Sequence, residues 1–572
     1  MFLRSRSRLR TAVIAAAVGA GVLTAASPAA AAPLAGTRAY LVITAPGATA
    51  GAVQAVASNS GTVWTTYDAI GVVVAHSGAS DFATRMRAVS GVQKVGATRT
   101  SDVPAEAANP PVPSAPSQAS PATSEPVRTD MAQIGADRAW AVNKGSSSVT
   151  VGVLDTGVDD LHDDLKDNFD AANSASCAYG KLDTRVGSWR DTGTHGTHVA
   201  GTVAAAKNGR GVVGVAPGVK IASVRIAENP SGLFFPENTI CAMVFSGDRG
   251  FEVTNNSYYT DPWLFNCPDN ADQDAILEGV KRAVAYAEGK GVLHVAAAGN
   301  ENYNLASKTR DTTSPNDSTP VQRNVTNSCL SMPTEAPGVV SVSSITSSNG
   351  KSSFSNYGTD KVHVAAPGDS VYSTVPGGRY GSKSGTSMAS PHVAGVAALL
   401  KSVNPAATPA DLRALLAAQA DDLSCTDSRC SGTTAKNNFF GEGRVDAFAA
   451  VDTGTPGGGT SFENTADVAI PDAGAAVTSP ITVSGIPGNA PAMLKVDVNI
   501  VHTYRGDLVI DLVAPDGTTF RLKNSGSDST DNVIETYTVD ASGEVSNGTW
   551  KLQVRDVARL DTGYVNSWRM TF

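Results

Sequence analysis

With 572 residues, 41% of them hydrophobic and 17% charged, the chain has a globular make-up and is too long for one domain; usual domain sizes suggest about three or four. Asp and Glu number 53 against 44 Lys and Arg, a net charge of -9 that argues against nucleic acid as a partner. No Gly-rich phosphate loop or nucleotide fingerprint occurs, so no organic cofactor is expected.

Arg4, Arg6, Arg8 and Arg10 make a basic start, Ala12 to Leu23 is apolar, and Ala29 to Ala32 offer small cleavage positions before Pro33. This pattern predicts a secretory signal peptide over residues 1–32, too short in its apolar part for the ~20 residues of a spanning helix. The mature protein is expected outside the cell, free of the membrane once the signal is removed. From Ala39 to about Ala97 strand and helix patterns alternate as two β-α-β halves, predicting a small α+β ferredoxin-like domain within residues 33–101. Residues 102–126, rich in Pro, Ala and Ser, read as an extended linker.

Residues 127–452 carry three strings that supply a carboxylate, an imidazole and a hydroxyl. Val149 to Leu154 is an apolar, β-branched run that predicts a buried strand, and Asp155-Thr156-Gly157-Val158-Asp159 follows at its end. His195-Gly196-Thr197-His198 opens a small-residue helix. Gly385-Thr386-Ser387-Met388 precedes apolar residues at helical spacing, from Met388 and Ala389 to Leu399 and Leu400, with Pro391 tolerable in the first turns. A fourth string, Gly299-Asn300-Glu301, ends the apolar run Val292 to Ala298. Taken singly these are ordinary features: an Asp at a strand end is usually a turn or cap, and a Ser before an apolar helix an N-cap. Together they meet what a serine nucleophile needs, a base to take its proton and a carboxylate to hold that base.

Beyond the Gly-rich stretch 453–460, which marks a boundary, short strands punctuated by turns predict a β-sandwich over residues 461–572. Trp550 and Trp568 there read as core residues.

The four strings resemble those of the subtilisin-like serine proteases, the subtilases, whose order Asp, His, Ser they share. The resemblance implies an α/β catalytic domain with a doubly wound, mainly parallel sheet. It implies that Asp155 orients the base, His195 is the general base and acid, Ser387 is the nucleophile and Asn300 is an oxyanion donor, with His198 a structural neighbour. In the substrate-binding stretch, Ser257, Tyr258 and Tyr259 align with the family pattern except that Tyr259 replaces the usual Gly; Ala298 and Gly299 belong to the same cleft. Residues 33–101 then resemble an inhibitory propeptide. Residues 461–572, through His502 to Leu508, Gly548 to Leu552 and Asp561 to Gly563, resemble the P domain of proprotein convertases.

Subtilases commonly bind calcium, and the match in position and loop length implies that Asp164 and Asn208 supply side-chain oxygens to a structural ion, with loop carbonyls from Ala206, Arg210 and Val212. The alternative is a metal-free loop served by Lys207 and Arg210. Asp507, Asp556 and Asp561 read as acidic surface turns rather than a second ion site. The 6 cysteines allow fifteen pairings, of which proximity favours only Cys425 with Cys430; zinc is the runner-up, without a Cys-x-x-Cys pair to support it. The expected function is a secreted serine endopeptidase made as a zymogen, monomeric, acting on proteins or peptides and held by its own propeptide. The rivals are a processing protease or exopeptidase of restricted specificity, with Asp248, Glu252 and Asp261 as candidate acidic groups, and a catalytically silent binding protein on the same scaffold.

Overall fold

The computed structural model describes residues 36–425, 427–452, 461–492 and 494–572. The expected signal peptide and the Gly-rich boundary at 453–460 lie outside the described residues.

The first unit comprises β1 (Arg38–Thr44), α1 (Ala50–Ser58), β2 (Gly61–Tyr67), β3 (Val72–Ser77), α2 (Phe82–Arg87) and β4 (Val92–Ala97), with an antiparallel sheet in the order β2-β3-β1-β4. Because side chains alternate along a strand, Tyr40, Val42, Val73 and Ala75 meet Val56, Phe82 and Met86 of the two helices. Leu41, Ile43, Val72 and Val74 take the other face and join a core shared with the next domain. Burial of each such aliphatic side chain is worth about 1.5–3 kcal/mol, so the sheet is docked by the hydrophobic effect.

The large domain contains β5 (Thr150–Asp155), α3 (His195–Ala204), β6 (Lys220–Arg225), α4 (Pro236–Arg249), β7 (Val253–Asn256), α5 (Ala271–Gly289), β8 (Leu293–Ala297), β9 (Val340–Ile345), β10 (Val364–Pro367) and α6 (Thr386–Val403). Its sheet runs β10-β9-β8-β7-β5-β6, with a two-residue strand Ala175–Ser176 at the edge, and these ladders are parallel. Helices α3 and α6 bring Val199, Val203, Met388 and Val393 against Val151, Val153, Val295 and Val342. On the other face, α4 and α5 bring Ile240, Ile276 and Val280 against Leu154, Ala222 and Val224. Covered on both sides, the strands need the continuous apolar runs seen in the sequence. This is the doubly wound architecture expected. Leu154 is level with Asn256, and Asn256 with Ala296, so the carboxyl ends of β5, β7 and β8 open on one edge, where open α/β sheets hold ligands.

The segment between the two units lies along the large domain. Gln118 Nε2 donates to Asp159 at 3.0 Å, the Ala119 amide to the Gly377 carbonyl at 2.8 Å, and Glu125 accepts the amides of Asn208 and Gly209, both at 2.8 Å.

The C-terminal unit is two antiparallel sheets. One holds Ser461–Asn464, Gly563–Thr571, Leu494–His502 and Val533–Val539, with Val468–Ile470 beside them; the other holds Val477–Val483, Gly548–Asp556, Leu508–Val513 and Thr519–Lys523. Trp550 and Trp568 are buried between them and donate to the Ser546 carbonyl and the Ser479 hydroxyl. Lys495 and Arg569 reach back to Asp421, Asp446 and Asp422 of the large domain. The cysteines pair as Cys177–Cys241, Cys267–Cys329 and Cys425–Cys430.

Candidate active site

Asp155 ends β5 and is fully buried, with Oδ1 2.8 Å and Oδ2 3.0 Å from His195 Nδ1. His195 is the first residue of α3, and that helix start is held by a residue the sequence reading passed over. Asp191 Oδ2 accepts from the Thr197 amide at 3.0 Å and hydroxyl at 2.6 Å, while Oδ1 accepts from the Thr156 hydroxyl and the Gly193 amide, both at 2.8 Å. An acidic residue just before a helix is a readable signal of this role. Desolvation in the cleft opposes charging His195, but the charge and hydrogen bond of Asp155 more than offset it, and the imidazole titrates above its ordinary 6.5. His198 points away: its Nε2 meets the carbonyls of Val371 and Gly381 at 3.0 and 3.1 Å, and burial pushes it down to about 3.

Ser387 is the second residue of α6. Pro391, four residues on, has no N–H to give the Ser387 carbonyl, and Ser257 Oγ donates to that carbonyl instead, at 2.9 Å. The Ser387 hydroxyl in turn donates to the Ser257 carbonyl at 3.1 Å; in this conformation no hydrogen bond links it to His195. Asn300 Oδ1 accepts from the Thr386 amide at 2.8 Å and hydroxyl at 3.0 Å, which leaves its amide N–H groups as free donors beside Ser387. Gly299 turns the chain here with φ +104°, and a Cβ would strike the Asn356 side chain at 2.3 Å.

A cavity of about 290 Å³ adjoins Ser387 and Asn300, and Ser257, Tyr258, Tyr259 and Gly299 line it. Ala298 does not; it is buried and its amide donates to the Val342 carbonyl. Asp261 also lines the cavity. It accepts from the Phe234 amide at 2.5 Å and Asn316 Nδ2 at 2.6 Å, yet burial without a cation pushes its carboxyl up to about 6. The other two acidic groups named from the sequence lie elsewhere: Asp248 accepts from the Tyr286 hydroxyl and Glu252 from the Thr150 amide.

Asp164 and Asn208 do come together. Asp164 Oδ2 accepts from the Val212 amide at 2.9 Å and the Tyr380 hydroxyl at 3.0 Å, and Oδ1 from Asn208 Nδ2 at 3.4 Å. Asn208 Oδ1 is taken by the Arg210 amide. Hydrogen-bond donors occupy these side-chain oxygens, and among the described residues no cluster of three His, Cys, Asp or Glu that could hold a metal ion occurs; a calcium site of one carboxylate, one amide oxygen and loop carbonyls needs no such cluster.

Comparison with known proteins agrees with this architecture. The C-terminal residues 491–572 match the proprotein convertase P-domain. The extracellular basic protease of Dichelobacter nodosus is 30% identical over 504 residues, covering 77% of this chain and 75% of that protein. Leupeptin-inactivating enzyme 1 of Streptomyces exfoliatus is 57% identical over 154 residues, but the chain spans only 35% of its length. The crystal structure of the epidermin leader peptide processing serine protease of Staphylococcus aureus shares the fold, with a TM-score of 0.58 at 20% identity over 73% of this chain and 99% of that one. Residues 146–443, more than half of the chain, match the Subtilase family, and with this sheet, this helix order and the Asp155–His195 pair at the strand ends, the chain belongs to that family.

Proposed function

We propose that the chain is a secreted serine endopeptidase made as an inactive precursor. The observation that carries the reading is the Asp155–His195 hydrogen bond at 2.8 Å, at the edge of the sheet where Ser387 and Asn300 face one cavity. Ser387 Oγ turns from the Ser257 carbonyl to His195 and attacks the substrate carbonyl as Nε2 takes its proton. Asp155 holds the Nδ1 tautomer and stabilises the imidazolium. The Asn300 amide and the Ser387 backbone N–H, at the start of α6, receive the oxyanion. His195 returns the proton to the leaving amine, and water then releases the acyl group by the same steps reversed.

Three disulfides among the described residues suit an oxidising destination, in keeping with the N-terminal signal pattern. The docking of β1 and β3 on α4 and α5 supports residues 33–101 as an inhibitory propeptide. A serine-directed fluorophosphonate tests the proposal: the secreted product should carry the adduct on Ser387 and lose peptide hydrolysis. Hydrolysis that persists in Ser387→Ala would refute it.

A further inference from the structure

Arg99, two residues beyond β4, is buried in a site that the large domain builds. Its Nη1 and Nη2 donate to Glu228 Oε2 at 2.9 Å and Oε1 at 2.7 Å, its Nε donates to Glu237 Oε1 at 3.2 Å, and its Cζ lies 3.7 Å from the centre of the Phe235 ring. Both glutamates are buried, at 2% and 1% exposure, and Glu237 Oε2 has no hydrogen-bond partner. Two carboxylates therefore face one guanidinium. Among the described residues no cation of the large domain is ion-paired with either; Arg225 lies behind, bonded to the carbonyls of Ser188 and Ala227, and Asn238 Nδ2 gives Glu228 a neutral donor at 3.2 Å. Loss of Arg99 would leave two buried charges uncompensated, which is strongly unfavourable.

This site neighbours the active-site cavity along the chain. Glu228 and Phe235 bracket Gly232, Leu233 and Phe234, which line the cavity beside Ser387. The residues after Arg99 continue along the same rim: the amides of Thr100 and Ser101 donate to Asp317 at 2.7 and 2.8 Å, and the neighbouring Asn316 lines the cavity and bonds Asp261. The cavity itself is lined by the large domain alone.

We propose that Glu228, Glu237 and Phe235 form a guanidinium-binding subsite of the cleft, filled by Arg99 in the precursor and by a substrate arginine, some residues before the cut bond, in the processed enzyme. The inference rests on the peptidase reading above. Planar forked donors and stacking on Phe235 favour arginine over lysine. The processed, secreted chain is tested with peptides in which arginine, lysine or the neutral isostere citrulline is moved through each position before the cut. At one position arginine should raise kcat/KM about tenfold or more over citrulline, with lysine between them. That ratio should fall toward one in Glu228→Gln/Glu237→Gln; if this variant does not fold, the wild-type panel decides alone. Peptides cleaved equally well with arginine and citrulline at every position would overturn the subsite. Absence of cleavage together with absence of a fluorophosphonate adduct on Ser387 would instead overturn the peptidase reading, and the subsite with it.

Discussion

Ser257 and Ser387 hydrogen-bond to each other's carbonyls, Oγ to O in both directions, at 2.9 and 3.1 Å. The exchange exists because Pro391 withholds the helical N–H that would otherwise take the Ser387 carbonyl. The end of β7 and the start of α6 are joined further by Asn255, which donates to Ser257 Oγ at 2.8 Å and accepts from Ser390 Oγ at 2.7 Å. The hydroxyl is thus parked on one strand end, one rotation about its own side chain away from another hydrogen-bond partner.

Removal of the Ser257 hydroxyl should cost about 1 kcal/mol in stability and lower kcat/KM several-fold, through an unsupported Ser387 carbonyl. The cost should shrink in a Pro391→Ala background, where residue 391 regains an N–H. A double-mutant cycle by chemical denaturation measures the coupling, expected at about 0.5–1.5 kcal/mol. Strict additivity of the two changes would contradict the account.

Peptide hydrolysis should fall as pH drops through a value above 6.5, because the base must be neutral and Asp155 holds the His195 pKa up. In Asp155→Asn that support is gone, so the acid limb should move to lower pH while kcat falls by about 10⁴ from loss of the tautomer lock. A pH profile of kcat/KM for both chains checks the direction of the shift.

His76 of β3 is buried at the docked face, stacked on Trp64, whose indole N–H donates to the Tyr179 carbonyl at 2.7 Å. Burial pushes its pKa down to about 4, with Glu237 opposing and Arg99 assisting. Neutral His76 is therefore the docked form: docking is at full strength above about 6.5 and weakens as pH falls toward 4, by up to about 3 kcal/mol. Thermal melts of the full-length Ser387→Ala chain between pH 4 and 7 should show an acid loss that His76→Gln flattens.

Cys177 and Cys241 close a loop with a sequence separation of 64, tying the Ala175–Ser176 edge strand to α4. Replacing both with Ala should cost about 4 kcal/mol by the chain-entropy argument. The pair Cys425–Cys430, with a separation of only 5, should matter less. Denaturant midpoints of the two double mutants give the comparison.

Much of the cleft is legible in the primary sequence because it is assembled from strand ends. Asp155, Gly299 and Asn300 each follow an apolar run that can only be a buried strand, and His195 and Ser387 each open an apolar helix. Local spacing carries that information. Asp191 shows the limit: its helix-start position is readable, but its four bonds to Thr156, Gly193 and Thr197 depend on a loop brought back over β5. Asp164 shows the same limit, since the hydrogen bond it takes from Tyr380, 216 residues away, cannot be read from loop length.

The order of residues along the chain determined the alternation of strands and helices, the family, and which acid, imidazole and alcohol stand at element ends, because hydrophobic periodicity and terminal residues act over a few positions. Only the packed molecule decided the pairs Cys177–Cys241 and Cys267–Cys329, the bond between Ser257 and Ser387, and the seat of Arg99 between Glu228 and Glu237. Those contacts join positions 62 to 138 residues apart. Their energies depend on burial and direction, which no local pattern records.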